Sequence, residues 1–195
     1  MMAQKKIEEA GIWRKVGGQR IFIKEGEDLS TAMKNSGSFK KDKPFRDVTN
    51  EFYNEATPGK GNIDFENGYD KEKFNNEVMV ANLIHKTFGG DIKLINSNNH
   101  QEDGKSPDFI WNNEMWELKS PGSQNSVSKR TEKGLHQISK NPGGIIIQIN
   151  SNEMSIDDVI ESSLNRYNFS GKDTSVMYYM IVVDNKIEKI YRYSH

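Results

Sequence analysis

The chain has 195 residues and no cysteine, and its 27 Lys and Arg residues nearly balance 28 Asp and Glu residues, for a formal net charge of −1. This length suits one ordinary domain with attachments, and the lack of cysteine excludes disulfides, thiol catalysis and zinc sites with cysteine ligands. Because the net charge is close to zero, any nucleic-acid partner would have to bind a local patch. The longest apolar run, at 176–183, is far shorter than the roughly 20 residues that span a bilayer.

Residues 1–70 are predicted to form a small N-terminal unit. We expect a β-hairpin at 12–23, a short helix at 28–35 and a polar linker at 36–70. Gly17 and Gly18 supply the positive φ angles of a tight hairpin turn, and the Asp28 carboxylate can cap the helix. Aromatic residues scattered in the linker are expected to dock on the main domain. The hairpin is a candidate docking element, and on this modular view removal of residues 1–70 would leave the activity of the remainder intact.

The remainder, 71–195, is predicted to form one α+β domain. Apolar residues from Phe74 to Phe88 recur at spacings of 4, 3, 3 and 4, which indicates an amphipathic helix. Asn112 and Asn113 separate two β-like runs, as in a tight hairpin. The predicted elements are a helix at 71–88, strands at 91–95, 107–111 and 114–119, a helix at 126–140, a strand at 145–149, a helix at 156–167, and strands at 176–184 and 186–193. This α-β-β-β-α-β-α-β-β order predicts a mixed sheet flanked by helices.

An acidic cluster with one lysine is predicted on this sheet. Side chains alternate along a strand, so Glu117 and Lys119 point to the same face. The hairpin partner strand brings Asp108 close, and Glu77 lies on the preceding helix, one position from its apolar stripe. Carboxylate oxygens suit a hard cation such as Mg²⁺, which can hold a phosphate oxygen and activate a water. Lys119 can orient that water or neutralise the charge that develops on the phosphate.

The arrangement Glu77, Pro107-Asp108 and Glu117-Leu118-Lys119 matches the PD-(D/E)xK nuclease signature. The same short pattern also arises from an exposed aspartate beside a solvated Glu-Lys pair. Its placement on a predicted hairpin, between a Glu-bearing helix and a polar-faced helix, favours an active site and a restriction-endonuclease-like core. A non-catalytic interaction module, in which the acidic cluster binds an ion structurally, is the alternative from another functional class.

The helix that follows the motif carries a polar stripe suited to a polyanion. The segment 126–144 has four basic residues and one acidic residue, a local charge of +3. Arg130, Lys133, Gln137 and Lys140 recur there at spacings of 3, 4 and 3. The amide of Gln137 can donate and accept hydrogen bonds beside a scissile phosphate. A solvated helix face is the alternative interpretation of these charges.

Read as a whole, residues 71–150 resemble the C-terminal tRNase domain of contact-dependent growth inhibition (CdiA-type) toxins. The resemblance lies in the following features: Glu77 on a leading helix, Ser106-Pro107-Asp108, the run Trp116-Glu117-Leu118-Lys119-Ser120-Pro121, Gln137, and the strand Ile145–Ile149. It implies a metal-dependent ribonuclease that acts on tRNA, is delivered as a toxin and is neutralised by a dedicated immunity protein.

The catalytic residues expected from these observations are Glu77, Asp108, Glu117, Lys119 and Gln137. Of these, Asp108 and Glu117 would bind a divalent metal, Mg²⁺ first with Mn²⁺ or Zn²⁺ as alternatives, and Glu77 would complete or support the metal site. The expected substrate-binding residues are Ser120, Arg130, Lys133 and Lys140.

The rival enzyme hypothesis is a DNA endonuclease of the same fold, from a phage, a mobile element or a restriction system. Neither the carboxylates nor a basic stripe senses a 2′-hydroxyl, so only the family resemblance favours RNA. The first ten residues are charged and lack the apolar stretch of a signal peptide, so we expect no export signal in this chain. A secreted or delivered toxin that acts in the target-cell cytoplasm is the expected localisation.

Overall fold

The computed structural model describes residues 10–16, 19–35, 45–100, 106–169 and 178–193. Its strands are β1 (Gly11–Val16), β2 (Gln19–Lys24), β3 (Phe45–Asp47), β4 (Ile63–Phe65), β5 (Ile92–Leu94), β6 (Phe109–Trp111), β7 (Glu114–Lys119), β8 (Pro142–Ile149), β9 (Tyr178–Val183) and β10 (Lys186–Tyr193). Its α-helices are α1 (Leu29–Asn35), α2 (Thr49–Glu55), α3 (Asn75–Phe88), α4 (Gln124–Gln137) and α5 (Ile156–Phe169).

Eight strands form one mixed sheet in the order β3-β10-β9-β8-β7-β6-β5-β4, and β1 pairs separately with β2. Strands β7, β8 and β9 run parallel to one another, and β4 runs parallel to β5, while the other pairs are antiparallel. β8 lies in the interior of the sheet. Its residues Ile145–Ile147 are fully buried, as is typical of a strand that is covered on both faces. The predicted mixed sheet flanked by helices is confirmed.

The two faces of the sheet carry separate apolar cores. On one face, Ile145 and Ile147 pack in a cluster with buried residues of α4, α5 and the N-terminal hairpin. On the other face, Ile146 packs in a cluster with buried residues of α3. Successive residues of β8 therefore point to opposite helical layers, which is the alternation that a strand imposes.

The segment predicted to be a linker contributes both edges of the sheet. β3 pairs with β10 through Asp47 and Tyr191, and β4 pairs with β5 through Ile63 and Ile92. Phe52 packs against Phe88 with ring centroids 5.6 Å apart, so the expected docking of linker aromatics on the main domain is confirmed there. Residues 36–44, and the hairpin turn predicted at 17–18, lie outside the described residues.

The β1–β2 hairpin rests on α5. The Arg14 guanidinium donates hydrogen bonds to Asp158 at 2.7 Å and to Glu161 at 3.0 Å. Ile21 and Ile23 of β2 are buried in the same core as α4 and α5. Apolar burial and a partly buried ion-pair network thus both hold this hairpin on the domain.

The helix predicted at 126–140 is displaced toward the N-terminus. The structure begins it at Gln124 and ends it at Gln137, so Lys140 lies beyond the helix in a turn. Ile138 is fully buried there, and the chain then enters β8 at Pro142, whose ring disfavours helical geometry at the preceding residue. The expectation that Lys140 continues the stripe of α4 is therefore wrong.

Because 1–70 includes both edge strands, a chain that starts at residue 71 would expose unpaired edges of β5 and β10. We expect this chain to unfold at a lower denaturant concentration than the full-length protein. Chemical unfolding followed by circular dichroism measures the difference, and a chain that starts at residue 10 is the control that keeps every strand. Equal unfolding midpoints for the full-length chain and the chain from residue 71 would contradict the structural role of these edges.

The turn between β6 and β7 requires a left-handed backbone, since φ is 49° at Asn112 and 68° at Asn113. These angles are typical of the two-residue turn that joins tightly paired antiparallel strands. A β-branched side chain is strained there, so Asn113→Val should lower the free energy of unfolding by about 1–2 kcal/mol. Asn113→Gly should leave it nearly unchanged, and equal losses for both variants in denaturant titrations would argue against a strained turn.

Candidate active site

Two carboxylates are interlocked across the β6–β7 pair. Phe109 lies opposite Trp116 in the antiparallel register, which brings Asp108, just before β6, beside Glu117. The Asp108 amide donates to Glu117 Oε2 at 3.1 Å, and the Leu118 amide donates to Asp108 Oδ2 at 2.7 Å. These reciprocal hydrogen bonds between main chain and side chain fix both carboxylates on rigid strands.

Glu117 is completely buried, although it is charged in its ordinary state. Gly134 of α4 lies directly over it, since a Cβ atom at that position would stand 3.3 Å from the Glu117 Cγ atom. Lys119, whose side chain is 15% exposed, forms an ion pair with Glu117 Oε1. As predicted, Glu117 and Lys119 share one face of β7, while Trp116 and Leu118 pack in the opposite core.

Glu77 approaches from the first turn of α3. It is half-buried, and the Tyr69 hydroxyl donates a hydrogen bond to its Oε2 at 2.7 Å. Tyr69 was not predicted to belong to the site, because the only sequence signal was an aromatic residue in a polar segment. Burial and the Glu77 carboxylate raise the pKa of Tyr69, so its hydroxyl remains a hydrogen-bond donor.

The surroundings of the cluster disfavour the charged form of its carboxylates. Burial, followed by the charge of Asp108, raises the pKa of Glu77 to about 7 and that of Glu117 to about 8, both from an ordinary value of 4.5. Burial also raises the pKa of Asp108. The Lys119 ammonium group opposes all three shifts without cancelling them. Carboxylates in such an environment favour an additional proton or a cation.

The donor chemistry of Asp108 and Glu117 fits a hard divalent cation, because both offer carboxylate oxygens on adjacent strands. In the described part of the chain, however, no three His, Asp or Glu side chains converge in the manner of metal ligands. Glu77 is close enough for its pKa to respond to Asp108, but the two do not form a shared metal cage with Glu117. A metal at this site would thus rest on Asp108 and Glu117, and Glu77 as a third ligand stays a prediction.

The other predicted residues surround the cluster to different degrees. Gln137, at the end of α4, is half-buried, and its Nε2 donates to the Ser106 carbonyl at 3.4 Å, two residues before Asp108. Ser120 follows Lys119 and is exposed. The side chains of Arg130, Lys133 and Lys140 are exposed, and their contact with a substrate stays a prediction.

Fold and site together define an α+β domain in which a buried glutamate and a lysine on one strand of a mixed sheet meet an aspartate from the neighbouring strand's start. The family model described as "Contact-dependent growth inhibition CdiA C-terminal domain" matches residues 105–188, which is 84 of the 195 residues. This part of the chain is similar to the CdiA-type C-terminal toxin domains. The predicted family resemblance is confirmed, and the matched region contains Asp108, Glu117 and Lys119.

Searches of curated proteins and of solved structures returned no match. Membership of the PD-(D/E)xK superfamily therefore stays a prediction. None of the helices in the described ranges combines the length and the apolar character needed to cross a bilayer.

The raised pKa of Glu117 predicts a pH-dependent stability without added metal. Between about pH 4.5 and about pH 8 the folded state retains a proton that the unfolded state has released, so the free energy of unfolding falls as the pH rises. Glu117→Gln removes this contribution and should flatten that decline. Thermal unfolding in EDTA across this range measures it, with exposed Glu188→Gln on β10 as control. Parallel pH profiles for the Glu117→Gln variant and the wild type would count against the burial argument.

Proposed function

We propose that this toxin domain is a metal-dependent nuclease that cleaves tRNA by hydrolysis of a phosphodiester bond. The observation that carries the proposal is the buried Glu117 carboxylate, which lies between Asp108 and Lys119 on two adjacent strands. Burial of an acidic pair with a single lysine is costly for stability and is typical of functional sites. The family match supports a toxin function.

The residues of the cluster have distinct roles in this proposal. Asp108 and Glu117 bind the metal, and Glu77, held by Tyr69, supports the site. A divalent metal held there would supply a Lewis acid for the scissile phosphate and for an attacking water. Lys119 orients the attacking water and neutralises negative charge on the phosphate as it develops. Gln137, anchored on the carbonyl of Ser106, donates a hydrogen bond to the phosphate.

The preference for tRNA over DNA rests on the family resemblance. The exposed basic side chains of Arg130 and Lys133 on α4, with Lys140 just beyond it, would contact the phosphate backbone, which both nucleic acids share. The matched toxin family also supports a dedicated immunity protein and delivery into the cytoplasm of a target cell. An acidic partner that covers α4 or the carboxylate cluster would protect the producing cell.

The test is to incubate the purified full-length chain with total tRNA and, separately, with plasmid DNA, each with Mg²⁺ or with EDTA. We expect cleavage of tRNA with Mg²⁺ only. Asp108→Asn and Glu117→Gln should abolish this cleavage, and Lys119→Met should lower its rate about 10²–10³-fold. Glu114→Gln, on the same strand but outside the cluster, is the matched control and should retain activity.

Each other outcome has a defined meaning, provided that circular dichroism shows the variants to be folded. Cleavage of plasmid DNA alone would favour the DNA endonuclease. Cleavage of tRNA in EDTA with a cyclic phosphate product would replace hydrolysis by attack of the 2′-hydroxyl. Absence of cleavage of both substrates would favour the non-catalytic module.

A further inference from the structure

A polar groove of about 350 Å³ opens at the end of β7, next to the start of α3. It lies where β7 and β8 end, and its polar and charged lining comes from Asn76, Ser120, Gln148, Asn150 and Glu153. Asn76 directly precedes Glu77 on α3, and Ser120 directly follows Lys119 on β7. Two lining residues of the groove are therefore sequence neighbours of candidate active-site residues.

The groove occupies a favourable place for a ligand. β7, β8 and β9 are parallel, so their carboxyl ends open at the same edge of the sheet. Ligands of open α/β sheets characteristically bind in crevices outside the carboxyl ends of the strands. Its volume is at the lower end of the roughly 300–1,000 Å³ that ligand pockets span, which suits a single small ring system.

Side-chain amides in the groove are held in fixed orientations. Gln148 Oε1 accepts a hydrogen bond from Asn76 Nδ2 at 2.7 Å and another from the Ser120 hydroxyl at 3.2 Å. Gln148 Nε2 donates to Asn185 Oδ1 at 3.3 Å. The network joins α3, the end of β7, β8 and the β9–β10 turn, so its donors and acceptors rest on rigid elements. Polar groups placed in this way fix the orientation of a ligand and provide specificity.

The lining does not suit a phosphate group. Among the described residues that form it, none is lysine or arginine, and Glu153 contributes a carboxylate. Phosphate binding in proteins relies on cations or on clusters of amide N–H groups. Asparagine, glutamine and serine instead pair with the donor and acceptor edges of nucleobases. Pro121 and Ile149 add apolar surface against which a ring can pack.

We infer that this groove binds one nucleobase of the substrate next to the scissile phosphate and reads its hydrogen-bonding edge. The inference rests on the proposed nuclease function and adds a specificity site to it. Bases that are unstacked in single-stranded loops expose these edges, whereas bases within a duplex do not. The groove therefore selects an unpaired nucleotide, and Asn76 and Gln148 are the residues that discriminate between bases.

A binding experiment tests the groove without cleavage. Full-length Asp108→Asn protein is titrated with each of the four neutral ribonucleosides and, separately, with inorganic phosphate, while NMR follows the side-chain amide signals of Asn76 and Gln148. We expect saturable shifts that differ among the nucleosides and are absent with phosphate. Wild-type protein in EDTA serves as a second sample in case the variant fails to fold. Shifts with phosphate alone, or no shifts with any nucleoside, would overturn the inference.

Substitutions then show whether the nucleoside-induced shifts arise from binding in the groove. Gln148→Ala and Asn76→Ser should each abolish the nucleoside-induced shifts, whereas Asn82→Ala, an exposed position on the same helix, should preserve them. In cleavage of total tRNA, Gln148→Ala should reduce discrimination between bases at the nucleotide beside the cut about tenfold. Unchanged discrimination in both groove variants would overturn the inference even if the enzyme is active. Nucleoside binding by a protein that cleaves no nucleic acid would support the groove and defeat the proposed nuclease function.

Discussion

The reciprocal hydrogen bonds between Asp108 and the β7 strand are the constraint on which the site depends. They place two acidic side chains side by side and hold Glu117 where solvent does not reach it. A buried carboxylate is destabilising unless hydrogen bonds and opposite charge compensate it. Here Lys119 is the cation that pairs with Glu117, while Asp108 adds a second negative charge. Burial, and after it the charge of Asp108, raises the pKa values of Glu77 and Glu117. The excess negative charge favours a cation at the cluster.

The sheet order gives this cluster its surroundings. β7 pairs with antiparallel β6 on one side and with parallel β8 on the other. The first pairing brings Asp108 to Glu117, and the second aligns the end of β7 with the ends of β8 and β9. β7 thus carries Glu117 and Lys119 of the cluster, and Ser120, directly after β7, lines the polar groove. In the proposed function, the carboxylate cluster and the polar groove are therefore neighbours along the chain that share no residue.

Much of this arrangement follows from local sequence. The alternation along β7 and the Asn112-Asn113 turn predict the hairpin, and the hairpin alone implies that Asp108 and Glu117 are neighbours. The edge strands β3 and β4 were not predicted, because each has three residues and lies in a polar segment. Their pairing is decided by distant partners, as for Asp47 with Tyr191. The contact between Asn76 and Gln148 was not predicted either, because these residues are 72 positions apart in the chain. The contact of Tyr69 was not predicted, because it depends on where the first turn of α3 places Glu77.

The charge distribution suggests how a chain with almost no net charge can engage a polyanion. Exposed cations lie on α4, Glu117 is buried beneath Gly134 of that helix, and the groove beyond Ser120 has an uncharged amide network. Contacts to phosphates position a nucleic acid without reading its sequence, whereas contacts to base edges specify it. In the proposed function, separate surfaces for these two tasks would allow affinity and specificity to vary independently. In the proposed function, the negative charges of Asp108 and Glu117 would repel a bare phosphate, so a phosphate would be stable there only when a cation is also bound.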